Sequence, residues 1–178
     1  MHEIEEARSV LAVFAQYGFR RVSMEDIGLA LGVSRQTVYN RFRTKEAVWS
    51  WAFGTFADWV LASTLHELQC DRPLKQRIVS ALMRWSGDHV DLLQSSPHGM
   101  EILERSVGDM HVRETDPEMA FLGTLTREIE ASPEYKAVAA PADTAFVLKI
   151  AAKGLMATSS SSKAFERDIG RIVSVLIG

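Results

Sequence analysis

The 178-residue chain has a single cysteine, Cys70, so no disulfide can brace it from within. A reducing, intracellular setting is the natural expectation. Cys70 follows an apolar stretch and precedes Asp71-Arg72-Pro73, the place of a small residue near a helix end rather than of a nucleophile. Long hydrophobic runs are also missing. Nothing approaches the roughly 20 apolar residues of a membrane span. The acidic opening His2-Glu3-Ile4-Glu5-Glu6 lacks the apolar core of a signal peptide. A soluble, cytoplasmic protein without a membrane partner is therefore expected. There is no glycine-rich phosphate loop and no sustained period-2 alternation, which removes nucleotide cradles and sheets. His66, His89, His98 and His111 match no ligand spacing such as His-x-x-x-His, so neither a metal nor another cofactor is expected. No acyl-, phosphoryl- or hydride-transfer constellation is visible, and the expectation is that the protein is not an enzyme.

What the chain does contain is helix after helix. Its composition, 47% hydrophobic and 24% charged, suits one or two compact domains with a sizeable core. The expected class is all-α, with about nine helices. The first helix covers about 3–17, with Ile4, Leu11, Phe14 and Ala15 on one face and Gly18 as its stop. A long apolar segment over 45–69 (Val48, Trp51, Phe53, Phe56, Trp59, Val60, Leu65) ends before Pro73 and suits a helix covered on two sides. Leu74, Ile78, Leu82, Trp85, His89 and Leu92 recur every three or four residues, predicting one helix of several turns. Pro97 opens a shorter segment. Asp116-Pro117 is a cap followed by proline at the first helical position. Two last helices are expected at about 142–157 and 163–177, the first with small residues (Ala151, Ala152, Gly154), the second with a stripe of Phe165, Ile169, Ile172, Val173 and Leu176.

Charge is unevenly spread. Residues 20–45 hold six cations (Arg20, Arg21, Arg35, Arg41, Arg43, Lys45) against Glu25 and Asp26, a local balance of +4 in a chain of net charge −3. The remainder thus carries −7. A confined basic patch on an acidic protein fits local phosphate contact, although a plain solvated face would look similar.

The same stretch is the most informative. Ser23 with Asp26 forms a capping box flanked by Val22 and Ile27, and that short helix ends at Leu31-Gly32. Ser34 caps a second helix, stapled by Val33 and Val38, and Thr44 caps a third. Two short helices joined at a glycine turn form a helix-turn-helix, assigned to 23–42. At about 100° per residue, Val38 and Phe42 fall within about 40° and point inward, whereas Arg35, Gln36, Tyr39, Asn40 and Arg43 share an arc of about 140°. These guanidiniums, amides and phenol are groups that reach base edges and phosphates. Arg35 and Gln36, in the first turn, suit base edges. Tyr39, the Ser23 and Ser34 hydroxyls, and Lys45 suit phosphates. The candidate DNA-binding set is Ser23, Ser34, Arg35, Gln36, Thr37, Tyr39, Asn40, Arg43, Thr44 and Lys45.

The run from Val22 to Glu46 resembles the DNA-binding signature of the TetR/AcrR family, through Ser-Met-x-x-Ile, Gly-Val-Ser, Thr-Val-Tyr-x-x-Phe and Lys-Glu. Phe14-Ala15-x-x-Gly18-Phe19 fits the end of the family's first helix. The resemblance covers about the first 50 residues. It implies a DNA-binding domain over 1–46 and a helical ligand-binding and dimerisation domain over 47–178. It also implies a homodimer through the last two helices (about 142–177), double-stranded operator DNA as partner, and release by a small-molecule effector. Two features depart from it. Gly28 stands where alanine is usual, at a helix-propensity cost of up to about 1 kcal/mol, and would let helices pack closer. Few residues precede the first helix, so fewer phosphate contacts and a shallower salt dependence are expected. Candidate effector contacts are Trp59, Trp85, His89, Met100, Leu103, His111, Met119 and Phe121, any of which could equally be plain core. The expected function is that of a ligand-responsive repressor on a near-palindromic operator. An activator, or a small-molecule-binding or enzymatic helical protein whose helix-turn-helix serves only packing, are the competing readings.

Overall fold

The computed structural model describes residues 2–110, 116–136 and 139–178, with the backbone alone for 106–110. The described residues form ten α-helices and no strand: α1 (His2–Tyr17), α2 (Met24–Leu31), α3 (Arg35–Phe42), α4 (Lys45–Gln69), α5 (Leu74–Trp85), α6 (Val90–Ser95), α7 (Gly99–Met110), α8 (Pro117–Ala131), α9 (Pro141–Thr158) and α10 (Ser162–Ile177). A single 3₁₀ turn, Gly87–His89, precedes α6. The chain is all-α, as its periodicity predicts.

It divides into two compact units, residues 1–59 with 92–114, and 60–91 with 115–178. Sequence reasoning places the boundary at residue 46. The packing instead draws α4 as far as Trp59 and the α7 region into the first unit. The reason is a shared core. Val10 and Phe14 of α1, Ile27 of α2, Val38 of α3, Val48, Trp49 and Ala52 of α4, and Ile102 of α7 are buried together. Trp49 is its largest side chain, meeting Phe14 edge-on at 5.4 Å and stacking on Phe53 at 5.9 Å. The His98 N–H donates to the Ala15 carbonyl at 3.0 Å, fastening the chain before α7 to α1.

The second unit is organised by α10, where Phe165, Ile169, Val173 and Ile177 repeat every four residues and are fully buried. They pack with Ile78 and Leu82 of α5 and Leu148 and Ala152 of α9, while Phe121, Leu125 and Ile129 bring α8 into the same core. Asp116 caps α8 by accepting from the Glu118 N–H at 2.9 Å, with Pro117 at the first helical position as expected.

One predicted element is corrected. The run from Leu74 to Leu92 is not one helix, because α5 stops at Trp85 and gives way to the 3₁₀ turn and α6. A side-chain carbon on Gly87 would lie 2.6 Å from Met83 Sδ and 2.7 Å from Phe165 Cδ1. The backbone therefore passes against α10 at this point. The Gly87 carbonyl accepts from the Ser162 hydroxyl at 2.7 Å.

Candidate nucleic-acid interface

The helix-turn-helix is fixed by its caps. Ser23 Oγ accepts from the Asp26 N–H at 3.2 Å and donates to Asp26 Oδ2 at 2.7 Å, while the Ser23 N–H donates to the same carboxylate oxygen at 2.8 Å. These bonds favour the charged carboxylate and hold the Asp26 pKa below its usual value. α2 ends at Gly32 in the left-handed conformation (φ 67°, ψ 27°), where glycine carries no steric penalty. The turn is tight. The Val33 N–H donates to the Gly28 carbonyl at 2.9 Å, and a side-chain carbon on Gly28 would sit 2.8 Å from the Val33 carbonyl oxygen. Glycine in place of alanine thus permits this close approach.

α3 is anchored on one residue, Val38, 1% exposed, with half-buried Phe42 tilted against Trp51, ring centres 4.9 Å apart. Everything else on it that carries chemistry is exposed. Ser34 Oγ accepts from the Thr37 N–H at 3.1 Å and lies 2.9 Å from the Thr37 hydroxyl. Two side-chain pairs, each one turn apart, line the outer face. The Arg35 guanidinium lies 5.4 Å from the centre of the Tyr39 ring, and the neighbouring phenol raises its pKa further. Gln36 Nε2 donates to Asn40 Oδ1 at 3.0 Å. Such pairs hold long side chains in preferred orientations before any partner arrives.

Between α3 and α4 lie only Arg43 and Thr44. Thr44 Oγ1 accepts from the Ala47 N–H at 3.1 Å and caps α4. Arg43 has φ 67° and ψ −44°, and the Thr44 N–H donates to the Phe42 carbonyl at 2.8 Å across it. This is a γ-turn with positive φ, a rare and strained form. Such a backbone costs a non-glycine residue about 1–3 kcal/mol. Arg35, Tyr39, Arg43, Thr44 and Lys45 line a groove of about 420 Å³, together with Ser23 and Glu25 of the α2 start.

Not every basic residue faces outward. Arg41 pairs with Glu6 at 3.0 Å and lies over the rings of Phe42 (4.7 Å) and Trp51 (4.4 Å), which takes it out of the patch. Lys45 is half-buried. Its ammonium donates to the Val22 and Arg20 carbonyls at 3.0 and 3.2 Å and lies 4.8 Å from the centre of the Phe19 ring. It therefore ties the start of α4 to the α1–α2 connection. Sequence reasoning passes over Trp51 as a partner of the head. Its indole N–H reaches Glu3 of α1 at 3.1 Å and its ring packs on Phe42 of α3, contacts between separate helices that periodicity cannot show.

The candidate effector contacts fall in both units. Trp59, Met100 and Leu103 belong to the first unit, and Trp85, His89, Met119 and Phe121 to the second. His111 lies outside the described residues. Trp59 stacks on Phe56 with the Arg8 guanidinium 4.3 Å from its ring centre. Trp85 and Phe121 are brought together, stacked at 4.7 Å, but Phe121 is fully buried core. His89 belongs to the 3₁₀ turn, whereas Met100 and Met119 are exposed. Among the described residues, no helix is long and apolar enough to cross a membrane.

Comparison with known proteins agrees with this geometry. Residues 10–49 match the family model described as bacterial regulatory proteins, tetR family. A search of the curated proteins gave no match. The whole chain superposes on a TetR-family transcriptional regulator from Rhodococcus sp., with a TM-score of 0.64 at 16% identity, covering 99% of this chain and 98% of that one. It is similar to the TetR-family regulator PfmR from Thermus thermophilus, with a TM-score of 0.62 at 15% identity, covering 99% and 97% of the two chains. It also resembles AibR, solved in complex with isovaleryl coenzyme A and operator DNA, with a TM-score of 0.61 at 12% identity, covering 97% and 98%. Residues 10–49 thus match the family's N-terminal domain around the helix-turn-helix, and the chain shares the fold of solved TetR-family regulators along nearly its whole length.

Proposed function

We propose that the protein is a ligand-responsive repressor that binds a near-palindromic operator as a homodimer and leaves it when a small molecule binds the helical body. The observation that carries the reading is the outer face of α3. It holds Arg35, Gln36, Tyr39 and Asn40 exposed and pre-paired on a helix anchored by buried Val38. In the major groove, Arg35 would bond guanine O6 and N7, and the Gln36–Asn40 amides would read an adenine. Dimerisation is supported by α9, where Phe146, Val147 and Ile150 are 53%, 46% and 47% exposed on one side of the helix, and by Val175 of α10. The ligand response is supported by AibR, whose complex holds both an acyl-coenzyme A and operator DNA. Effector binding would shift the population of body arrangements and alter head spacing through α4, which continues from the first unit into the second.

The test is a gel shift on the DNA upstream of the protein's own and neighbouring genes, comparing the natural protein with Arg35→Ala. Specific retardation is expected, with Arg35→Ala relaxing base preference at one position of each half-site by about 1–3 kcal/mol. Absence of retardation at every local promoter would count against the reading.

A further inference from the structure

We propose that Arg43 is the backbone-phosphate anchor of the DNA-binding head, kept as an arginine in a conformation that glycine would adopt without strain. The inference rests on the DNA-binding reading of the α3 face and adds to it a division of labour.

Among the described residues, Arg43 is the one non-glycine with positive φ; the other such positions, 18, 32 and 178, are all glycine. Where the fold needs this backbone for itself, then, the sequence supplies glycine. At 43 the need for a side chain has prevailed. That side chain is exposed and, among the described residues, has no ion pair or hydrogen bond. Two neighbouring cations are committed within the head, Arg41 to Glu6 and Lys45 to two carbonyls, while Arg35 lies over the Tyr39 ring on the base-reading face. Arg43 lines the groove together with Arg35 and Tyr39, next to the first turn of α4. This is an exposed cation without a partner among the described residues, on a segment only two residues long between two helices. This suits an anion whose position is set by the seated recognition helix. A phosphate fits better than a base edge, because residue 43 lies beyond the last turn of α3, whereas base reading concentrates at the N-terminal end of a recognition helix.

The proposal separates two properties that usually move together. Affinity should follow the side chain and stability the backbone. The experiment takes the full-length protein with Arg43→Lys, Arg43→Ala and Arg43→Gly. It measures binding to a duplex from the upstream DNA and to a mixed-sequence duplex across a salt series, and thermal unfolding of each variant without DNA. Arg43→Lys should bind within a few-fold of the natural protein. Arg43→Ala and Arg43→Gly should each lose roughly tenfold on both duplexes, with the log–log salt slope shallower by about 0.9 per head. Arg43→Gly should melt about 2–4 °C above Arg43→Ala. Unchanged affinity and slope in the alanine and glycine variants would overturn the proposal, as would a loss confined to the upstream duplex, which would make Arg43 a base reader. A glycine variant no more stable than the alanine variant would overturn the strain argument on which it stands. If the natural protein binds neither duplex, the DNA-binding reading falls and takes this inference with it. If it binds and the substitutions are silent, this inference alone falls.

Discussion

Asp26 accepts two hydrogen bonds from Ser23, and they make its charge part of the fold. Its pKa in the folded protein lies below the ordinary aspartate value of 3.8. A depressed folded pKa means stability that is fully present above the unfolded value and lost as pH falls through the folded one. Asp26→Ala should therefore lower stability by about 1 kcal/mol at pH 7. The gap in melting temperature from the natural protein should hold down to about pH 5 and close below about pH 4. Circular dichroism melts over that range test this, and a gap independent of pH would show that the carboxylate charge is not involved. At this scale much is legible in the sequence. Ser23, Ser34, Thr44 and Asp116 are caps because a short polar side chain before an apolar run has few other local uses. Lys45 is not legible. Its position at a helix start favours a phosphate partner, but the carbonyls that hold it belong to Arg20 and Val22, and spacing along a helix carries no information about a distant loop.

Elements are legible where one helix sets its own pattern and illegible where two meet. The i, i+4 stripe of α10 is visible in the sequence and becomes the core of the second unit. The break after Trp85 is not visible, because the backbone there passes close to Phe165, nearly eighty residues later, leaving no room for a side chain at Gly87. The boundary of the first unit escapes for the same reason, since Ile102 of α7 reads as part of a body helix and packs with α1, α2 and α4. Gly28 gives a direct test of which influence wins. Helix propensity alone favours alanine there by up to about 1 kcal/mol. The added carbon, however, would lie 2.8 Å from the Val33 carbonyl oxygen and 3.3 Å from the Arg35 N–H nitrogen, and both atoms are backbone of the turn itself. Relief would require widening the helix-turn-helix. Gly28→Ala is therefore expected to destabilise the protein by about 1–3 kcal/mol, and to weaken DNA binding by tilting α3. Thermal melts and gel shifts check both; a variant more stable than the natural protein would mean that the turn yields and propensity decides.

At the scale of the whole molecule, the proposed function raises the question of how a chain of net charge −3 would bind DNA well enough to regulate. One head offers few phosphate contacts once Arg41 and Lys45 are committed within the fold. Two heads on one rigid pair can add their binding energies, because the second contact becomes intramolecular and gains an effective concentration. In the proposed homodimer the body would hold two heads at a fixed separation, about one helical turn of DNA, ~34–36 Å, or a multiple of it. The exposed Phe146, Val147 and Ile150 of α9 are the natural surface for that task, because such a cluster of apolar side chains gains only by being covered. Near the end of the helix, Gly154 leaves room for a partner to approach closely, since a side-chain carbon there would meet nothing within 4 Å. Phe146→Asp combined with Ile150→Asp should halve the mass measured by sedimentation without unfolding the protein, since neither residue is in the core. Affinity for a two-half-site operator should then fall by roughly 10²–10⁴, to that of a single half-site duplex. A variant that remains a dimer would move the interface elsewhere. One that becomes a monomer yet binds the full operator unchanged would mean that a single head suffices, and that the acidic body is tolerated for a reason other than pairing.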